Sequence, residues 1–276
     1  MDLIIQGIEI ETSDLRQLAK LSGASKIERI NGNAFRLIDA SQRDRISSLC
    51  LEAELDFAFV DEPKSLNQFR LIAMDMDSTL VGIETIDEIA DIHGMRKQVA
   101  EITEKAMYGE IDFSEGLIQR VALLKGLEHS VLQRVYDERL IFNPGAEKML
   151  KKLKVAGIKT MLISGGFTFF TDKLKDRLGL DYTFANTLET VNGRLTGRLL
   201  GEVFGAKGKG WALNKICNEL GFRKENLIAI GDGANDLSMF AEAGVSIAYH
   251  AKPIVQENAT YAINHVGLDG VINIFQ

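Results

Sequence analysis

Apolar positions along the chain fall into two regimes. Over the first sixty residues, short strand-like runs alternate with two amphipathic stretches. Leu3–Ile10 reads as a strand, and Thr12 or Ser13 can cap a helix that carries Leu15, Leu18 and Leu21 until Gly23 stops it. Lys26–Ile30 and Ala34–Ile38 read as strands joined across Asn31-Gly32-Asn33, a turn suited to positive φ. Ser41 is placed to cap a second helix with Ile46 and Leu49 on its apolar side, and Leu55–Val60 reads as the last strand. The order β-α-β-β-α-β predicts a small α+β, ferredoxin-like unit over residues 1–64. Asp61, Glu62, Pro63, Lys64 and Ser65 have the composition of a linker.

Beyond residue 65 the pattern becomes strand, long helical stretch, then repeated strand–helix units. Arg70–Met74 is a short apolar run ending in acids, and residues 85–140 contain no proline and are helical in composition. Ala146, Met149, Leu150 and Leu153 recur with helical spacing, and Lys159–Ile163 reads as a buried strand. Thr187–Leu199 alternates around Asn192-Gly193, a hairpin signal. Leu213, Ile216, Cys217 and Leu220 mark another helix, while Leu227–Ile230 and Val245–Tyr249 are apolar enough for central strands. This alternation predicts an α/β fold over residues 65–276. Its core is a Rossmann-like parallel sheet with helices on both faces, carrying an inserted helical cap at about 85–140.

Composition narrows the partners. Against 32 Lys and Arg stand 39 Asp and Glu, a net charge of −7, which offers no positive footprint for nucleic acid or an anionic membrane. No run of 18 apolar residues occurs, and Met1–Asp14 lacks the apolar stretch of a signal peptide, so the expectation is a cytoplasmic chain. Cys50 and Cys217 have no Cys or His neighbour at metal-ligand spacing and read as small buried hydrophobes. The four histidines form no recognisable site.

Polar residues gather at three predicted strand ends, where open α/β sheets bind ligands. These are Asp75-Met76-Asp77-Ser78-Thr79, Ser164-Gly165-Gly166 and Gly231-Asp232-Gly233-Ala234-Asn235-Asp236. Carboxylates two residues apart in extended chain point the same way, and a hard divalent ion such as Mg²⁺ would relieve their repulsion. Asp232 and Asp236 would complete that site from an adjacent strand. A cation there would orient a phosphate for in-line attack by one aspartate, while Asp77 protonates the departing alkoxide and later activates water. Ser164 and Gly165 suit phosphate binding, and Lys207 or Lys209 could balance the acids.

With these motifs in this order, the segment from about Arg70 onward resembles the haloacid dehalogenase superfamily and, within it, the phosphoserine phosphatases. Asp75–Thr79 matches the first motif, Ser164 the second, and Lys209 with Asp232–Asp236 the last two. The offset of Lys209 from Asp232 favours it over Lys207. The resemblance implies that Asp75 is the nucleophile and Asp77 the general acid/base. It implies Mg²⁺ held by Asp75, the backbone carbonyl of Asp77 and Asp232, with Asp236 in support. It also implies that Glu84 receives the α-ammonium and Arg120 the α-carboxylate of O-phospho-L-serine, with Met107 and Phe113 as the apolar wall and Asn235 near the phosphate. The reaction so implied yields L-serine and phosphate, the last step of serine biosynthesis. Its alternatives are a phosphatase or phosphotransferase for another small ester, or a catalytically silent amino-acid sensor. The order and size of the N-terminal unit resemble ACT-type regulatory domains, which leaves a regulatory role or a homodimer open.

Overall fold

In the N-terminal unit, the apolar alternation resolves into β1 (Asp2–Gln6), α1 (Thr12–Ser22), β2 (Lys26–Asn31), β3 (Ala34–Ile38), α2 (Ile46–Glu52) and β4 (Asp56–Val60). These strands form an antiparallel sheet in the order β2-β3-β1-β4, as the ferredoxin-like reading expects. The computed structural model describes residues 1–61, 64–107 and 110–275, so Glu62 and Pro63 of the expected linker lie outside the described residues.

Local details differ from the sequence expectations for identifiable reasons. The first strand stops at Gln6 rather than Ile10, because the backbone at Gly7 passes tightly by Leu55 and Ile8 turns out to solvent. Helix α1 has Glu11, not Thr12 or Ser13, at its N-cap and no side-chain cap, but Gly23 ends it in the left-handed region as expected. The 31–33 turn uses no positive φ. Instead Asn31 Oδ1 accepts from Asn33 N at 2.9 Å, an Asx turn, and Asn31 Nδ2 donates to Asn273 Oδ1 at 2.7 Å. Ser41 caps nothing: α2 begins five residues later, after Arg45 in the left-handed region, and Gln42 N is held by Ser22 O.

The second sheet starts with β5 (Leu71–Met74) and is followed by four helices, α3 (Thr85–Ile92), α4 (Arg96–Met107), α5 (Phe113–Ala122) and α6 (Ser130–Glu138). Then come α7 (Ala146–Val155), β6 (Lys159–Phe167), α8 (Thr168–Leu178), β7 (Tyr182–Val191), β8 (Arg194–Leu200) and α9 (Ala206–Glu219). The chain ends through β9 (Leu227–Gly231), α10 (Leu237–Glu242), β10 (Val245–Tyr249), α11 (Pro253–Glu257), β11 (Tyr261–Ile263) and α12 (Gly270–Ile274). The seven-stranded order is β11-β10-β9-β5-β6-β7-β8, parallel throughout except that β8 returns antiparallel on β7. Their hairpin turns at Asn192 and Gly193, both at positive φ, as its dipeptide predicts.

Both faces of the sheet are buried at its centre, so β5 and β9 are apolar at every position. Ile72, Met74, Leu162 and Ile228 share one core with α7, α8 and α12, whereas Leu71, Ala73, Met161 and Ala229 pack on α9 and α10. Cys50 and Cys217 are buried helical residues with free thiols. The N-terminal sheet is also covered twice. Leu3, Ile5 and Leu37 face α1 and α2, while Ile4, Ala58 and Val60 join the larger core.

Asp56 fastens the two sheets. Its carboxylate, 3% exposed, accepts from the backbone N–H groups of Asn264, His265 and Val266 at 2.6, 3.0 and 2.9 Å. An alanine there would leave three backbone donors without their acceptor. Asp56→Ala is expected to lower unfolding free energy by about 3 kcal/mol in urea denaturation, with little change in activity at a temperature where it stays folded.

Candidate active site

All three motif loops converge at the carboxyl edge of the second sheet, because β5, β6 and β9 are neighbours in parallel register. The loop after β5 is tightly fastened. Leu80 N and Val81 N both donate to Met76 O at 2.9 Å, Ser78 sits at φ 56°, and Asn143 Nδ2 donates to Ser78 O and Thr79 O at 3.1 and 2.8 Å.

That loop separates the two acids of the first motif. Asp75, 5% exposed, lies against α9 and the β9 loop, where its carboxylate meets Lys209 Nζ at 2.5 Å. Asp77 turns the other way: its carboxylate accepts from Thr85 N at 3.1 Å and Thr85 Oγ1 at 3.3 Å, at the start of α3. The expectation that the two carboxylates converge as in extended chain therefore fails, since β5 ends at Met74 and the chain coils at once. The acids that do converge are Asp75, Asp232 and Asp236, with carboxylate oxygens within 4.8 Å of one another. The carbonyl oxygen of Asp77 accepts from Thr79 N at 2.7 Å.

Lys209 resolves the choice between the two lysines. It is fully buried in the first turns of α9, bridging Asp75 and Asp236 at 2.5 and 2.7 Å, whereas Lys207 is exposed. Asp236 uses its other oxygen to accept from Asp232 N and Gly233 N, both at 3.1 Å, which folds the β9 loop into a single helical turn over Ala234–Asp236. Thr79 Oγ1 donates to Asp232 Oδ1 at 2.7 Å and sets its orientation. Asn235 lies on that same turn, its amide oxygen folded over Gly233.

Ser164 is fully buried and its Oγ accepts from Gly166 N at 2.8 Å. A Cβ on Gly166 would come within 2.8 Å of Asp77 Oδ2 and 3.0 Å of Ser164 Oγ, so glycine is what allows this approach. β6 runs on through Ser164, Gly165 and Gly166 to Phe167, past the expected end at Ile163. The ring of Phe113, first residue of α5, lies against both Gly165 and Gly205 and brings the cap down onto the sheet edge. Glu84 stands at the N-cap of α3 in the cleft and its Oε1 accepts from Ser78 Oγ at 2.7 Å. Arg120 projects from α5, with its Nε bonded to Gly116 O at 3.3 Å. The side chain of Met107, at the end of α4, lies outside the described residues.

Sequence reasoning missed Asn186. This buried β7 residue donates from Nδ2 to Gly165 O and Phe204 O, both at 2.9 Å, and accepts from Phe204 N at 2.7 Å. It ties the Ser164 strand end to the loop before Lys209. An amide inside the apolar run Tyr182-Thr183-Phe184-Ala185-Asn186 was the available signal.

The electrostatics carry a deficit of positive charge. Burial, then the neighbouring Asp236, holds the Asp75 carboxyl well above the usual range, against the pull of Lys209. Asp77 is raised by burial and by Glu84. Burial pushes Asp232 up to about 6, against its bond from Thr79. Burial alone would lower Lys209, but Asp236 and Asp75 together raise it. One ammonium among three carboxylates leaves two negative charges uncompensated, and the all-oxygen donor set fits a hard divalent cation.

A pH dependence follows for the metal-free protein. Asp232 binds a proton more readily folded, at about 6, than unfolded, at 3.8. Its contribution to stability is present below about pH 4 and lost as pH rises through about 6. Thermal melts without divalent ions are expected to show Tm falling across that window, and added Mg²⁺ should flatten the fall. A Tm that rises over the same window would contradict this assignment.

Comparison with known proteins places the chain in a family. The haloacid dehalogenase-like hydrolase family matches residues 69–244, and residues 3–46 match a domain of unknown function, DUF4072. A phosphoserine phosphatase of Polaromonas sp. strain JS666 is 52% identical over 214 residues, 76% of this chain and 91% of that protein. The crystal structure of a probable phosphoserine phosphatase from Vibrio cholerae, unliganded, superposes with a TM-score of 0.87 at 37% identity, covering 99% of this chain and 86% of its own. A structure described as a phospho-aspartyl intermediate analogue of phosphoserine phosphatase has a TM-score of 0.71 at 43% identity, covering 75% of this chain and 99% of its own. Among the described residues, no helix is long and apolar enough to cross a membrane.

Proposed function

The chain belongs to the haloacid dehalogenase-like hydrolases and, among them, to the phosphoserine phosphatases; from that premise we propose a Mg²⁺-dependent hydrolysis of O-phospho-L-serine through a phosphorylated Asp75. The observation that carries it is the buried cluster in which Lys209 bridges Asp75 and Asp236 beside Asp232. An oxygen of Asp75 attacks phosphorus and the bond to the serine oxygen breaks. Asp77, whose carboxyl burial and Glu84 raise above the usual carboxylate range, gives its proton to that oxygen. Asp77 then takes a proton from the water that attacks the phosphoryl group on Asp75, which restores the carboxylate and releases phosphate. Lys209, Ser164 and the N–H of Gly165 hold the phosphoryl oxygens. Mg²⁺, held by Asp75, the Asp77 carbonyl and Asp232 with Asp236 in support, would neutralise phosphate charge and favour in-line attack.

Substrate selection falls to the cleft wall. Glu84, oriented by Ser78, receives the ammonium, and Arg120 receives the carboxylate as a two-pronged donor. Phe113, which with Met107 forms the apolar wall in this reading, excludes water when the cap over α3–α6 closes. Asn235 serves the phosphate side. We read residues 65–276 as the phosphatase body and 1–64 as a regulatory or dimerising unit, and place the reaction at the end of serine formation in the cytoplasm.

The test is phosphate release from O-phospho-L-serine by the purified chain. Chelation of divalent ions is expected to reduce release at least about 100-fold, and Mg²⁺ to restore it. Undiminished release in chelator would remove the metal from the proposal. Release from other esters but not from phosphoserine would remove the substrate.

A further inference from the structure

Asp87 lies on α3, three residues beyond Glu84 and so on the same face of the helix. Its Oδ1 is buried and has no hydrogen-bond partner among the described residues. A carboxylate oxygen in that condition costs folding free energy, which calls for a compensating role. Its cationic neighbours are Arg120 and Arg96. Arg96 is 67% exposed and turned to Asp91 at 3.5 Å, which leaves Arg120 as the partly enclosed cation that Asp87 faces.

From the side of Arg120 the relation is the same. Burial draws its guanidinium down, and three carboxylates oppose this, Asp87 most strongly, then Glu84 and Asp77. Glu84 and Asp77 already accept hydrogen bonds from Ser78 and Thr85. The Nε of Arg120 is tied to its own helix through Gly116 O. Asp87 makes no hydrogen bond or ion pair within 4.0 Å to Arg120 among the described residues, so it supplies opposite charge without occupying the donors that a substrate carboxylate needs.

We infer that Asp87 is a positioning residue for Arg120: its half-buried carboxylate, with Oδ1 buried and unbonded, draws the guanidinium to the cleft and leaves its paired N–H groups for the α-carboxylate of the substrate. The inference rests on the reading of Arg120 as the carboxylate clamp. It places the cost of an orphaned buried oxygen in the cap and its return in substrate selection.

The experiment compares O-phospho-L-serine with O-phosphoethanolamine, which lacks the carboxylate, in Asp87→Asn, Arg120→Ala and the double variant, with Tm for each. Asp87→Asn is expected to raise KM for phosphoserine about tenfold with kcat changed little, and to lower the selectivity ratio between the two esters by about the same factor. Its Tm is expected to match or exceed that of the parent, because an orphaned carboxylate oxygen has been neutralised. Added to Arg120→Ala, it should reduce selectivity no further. Equal losses on both esters together with a lower Tm would show a structural residue and overturn the inference. Undiminished selectivity in Asp87→Asn, beside a large loss in Arg120→Ala, would overturn it and leave the clamp standing. Undiminished selectivity in Arg120→Ala would remove the clamp and Asp87 with it.

Discussion

Asp75→Asn is expected to reduce phosphate release from O-phospho-L-serine by about 10⁴-fold or more while the chain stays folded. The substitution keeps shape and volume but replaces the attacking oxygen's negative charge with a neutral amide, so no phosphoryl bond can form at that position. Its structural cost is moderate, because an amide that keeps its oxygen toward Met76 N turns its N–H₂ group toward Lys209 Nζ, where Oδ2 stood at 2.5 Å. Oδ1 of Asp75 accepts from Met76 N at 2.7 Å, and an amide oxygen can accept the same bond. Lys209 retains Asp236 at 2.7 Å, so its buried ammonium keeps an anionic partner. The carboxyl of Asp75 is held above its ordinary range chiefly by burial and by Asp236, so removing its charge relieves repulsion in the metal-free state. The lost pairing with Lys209 and the relieved repulsion from Asp236 oppose each other, so unfolding is expected within a few degrees of the parent Tm. Weaker Mg²⁺ affinity is expected in parallel, because the acidic triad has lost a member. Release within tenfold of the parent would remove Asp75 as nucleophile, and a collapsed Tm would make the activity loss uninformative.

What the amino-acid pattern made legible was the part set by short-range rules. Asp75-x-Asp77, Ser164-Gly165 and Asp232–Asp236 could be placed at one sheet edge because each follows an apolar run that can only be a buried parallel strand. The Asn192-Gly193 turn was legible because its residues tolerate the positive φ they adopt. The turn at 31–33 was misjudged in geometry because Asn31 has a second partner, Asn273, on the last helix, 242 residues away. Similar distances hide the supports of the site. Thr79 reaches Asp232 across 153 residues, and Asn143 reaches the Ser78 loop across 65. No local periodicity encodes such pairs. The separation of the Asp77 carboxylate from that of Asp75 belongs to the same class, since it depends on Thr85 at the start of α3 and on the close passage of Gly166.

Lys209→Met is expected to be the most damaging change to the fold of the site, at about 3–5 kcal/mol of stability, or roughly 10 °C in Tm for a chain of this size. Methionine fills similar volume, so the loss is not one of packing. What it removes is the single cation between Asp75 and Asp236, both buried, at 2.5 and 2.7 Å. Three converging carboxylates then have no positive partner inside the cluster. Two consequences separate this from an ordinary cavity mutant. The penalty should shrink as pH falls toward about 6, because Asp232, at about 6 in the folded parent, and Asp75, already raised there, would bind protons at higher pH still and relieve the repulsion. Mg²⁺ should recover part of the lost Tm, since a divalent ion supplies the missing positive charge to the same oxygens. Activity should nonetheless stay about 10²–10³-fold down with Mg²⁺ present, because no ammonium remains to meet the phosphoryl oxygens. Melts at pH 4 and pH 7, each with and without Mg²⁺, read all of this at once. A Tm loss independent of both pH and Mg²⁺ would mean that Lys209 holds the fold by packing alone, and that the charge balance inferred for the cluster is wrong.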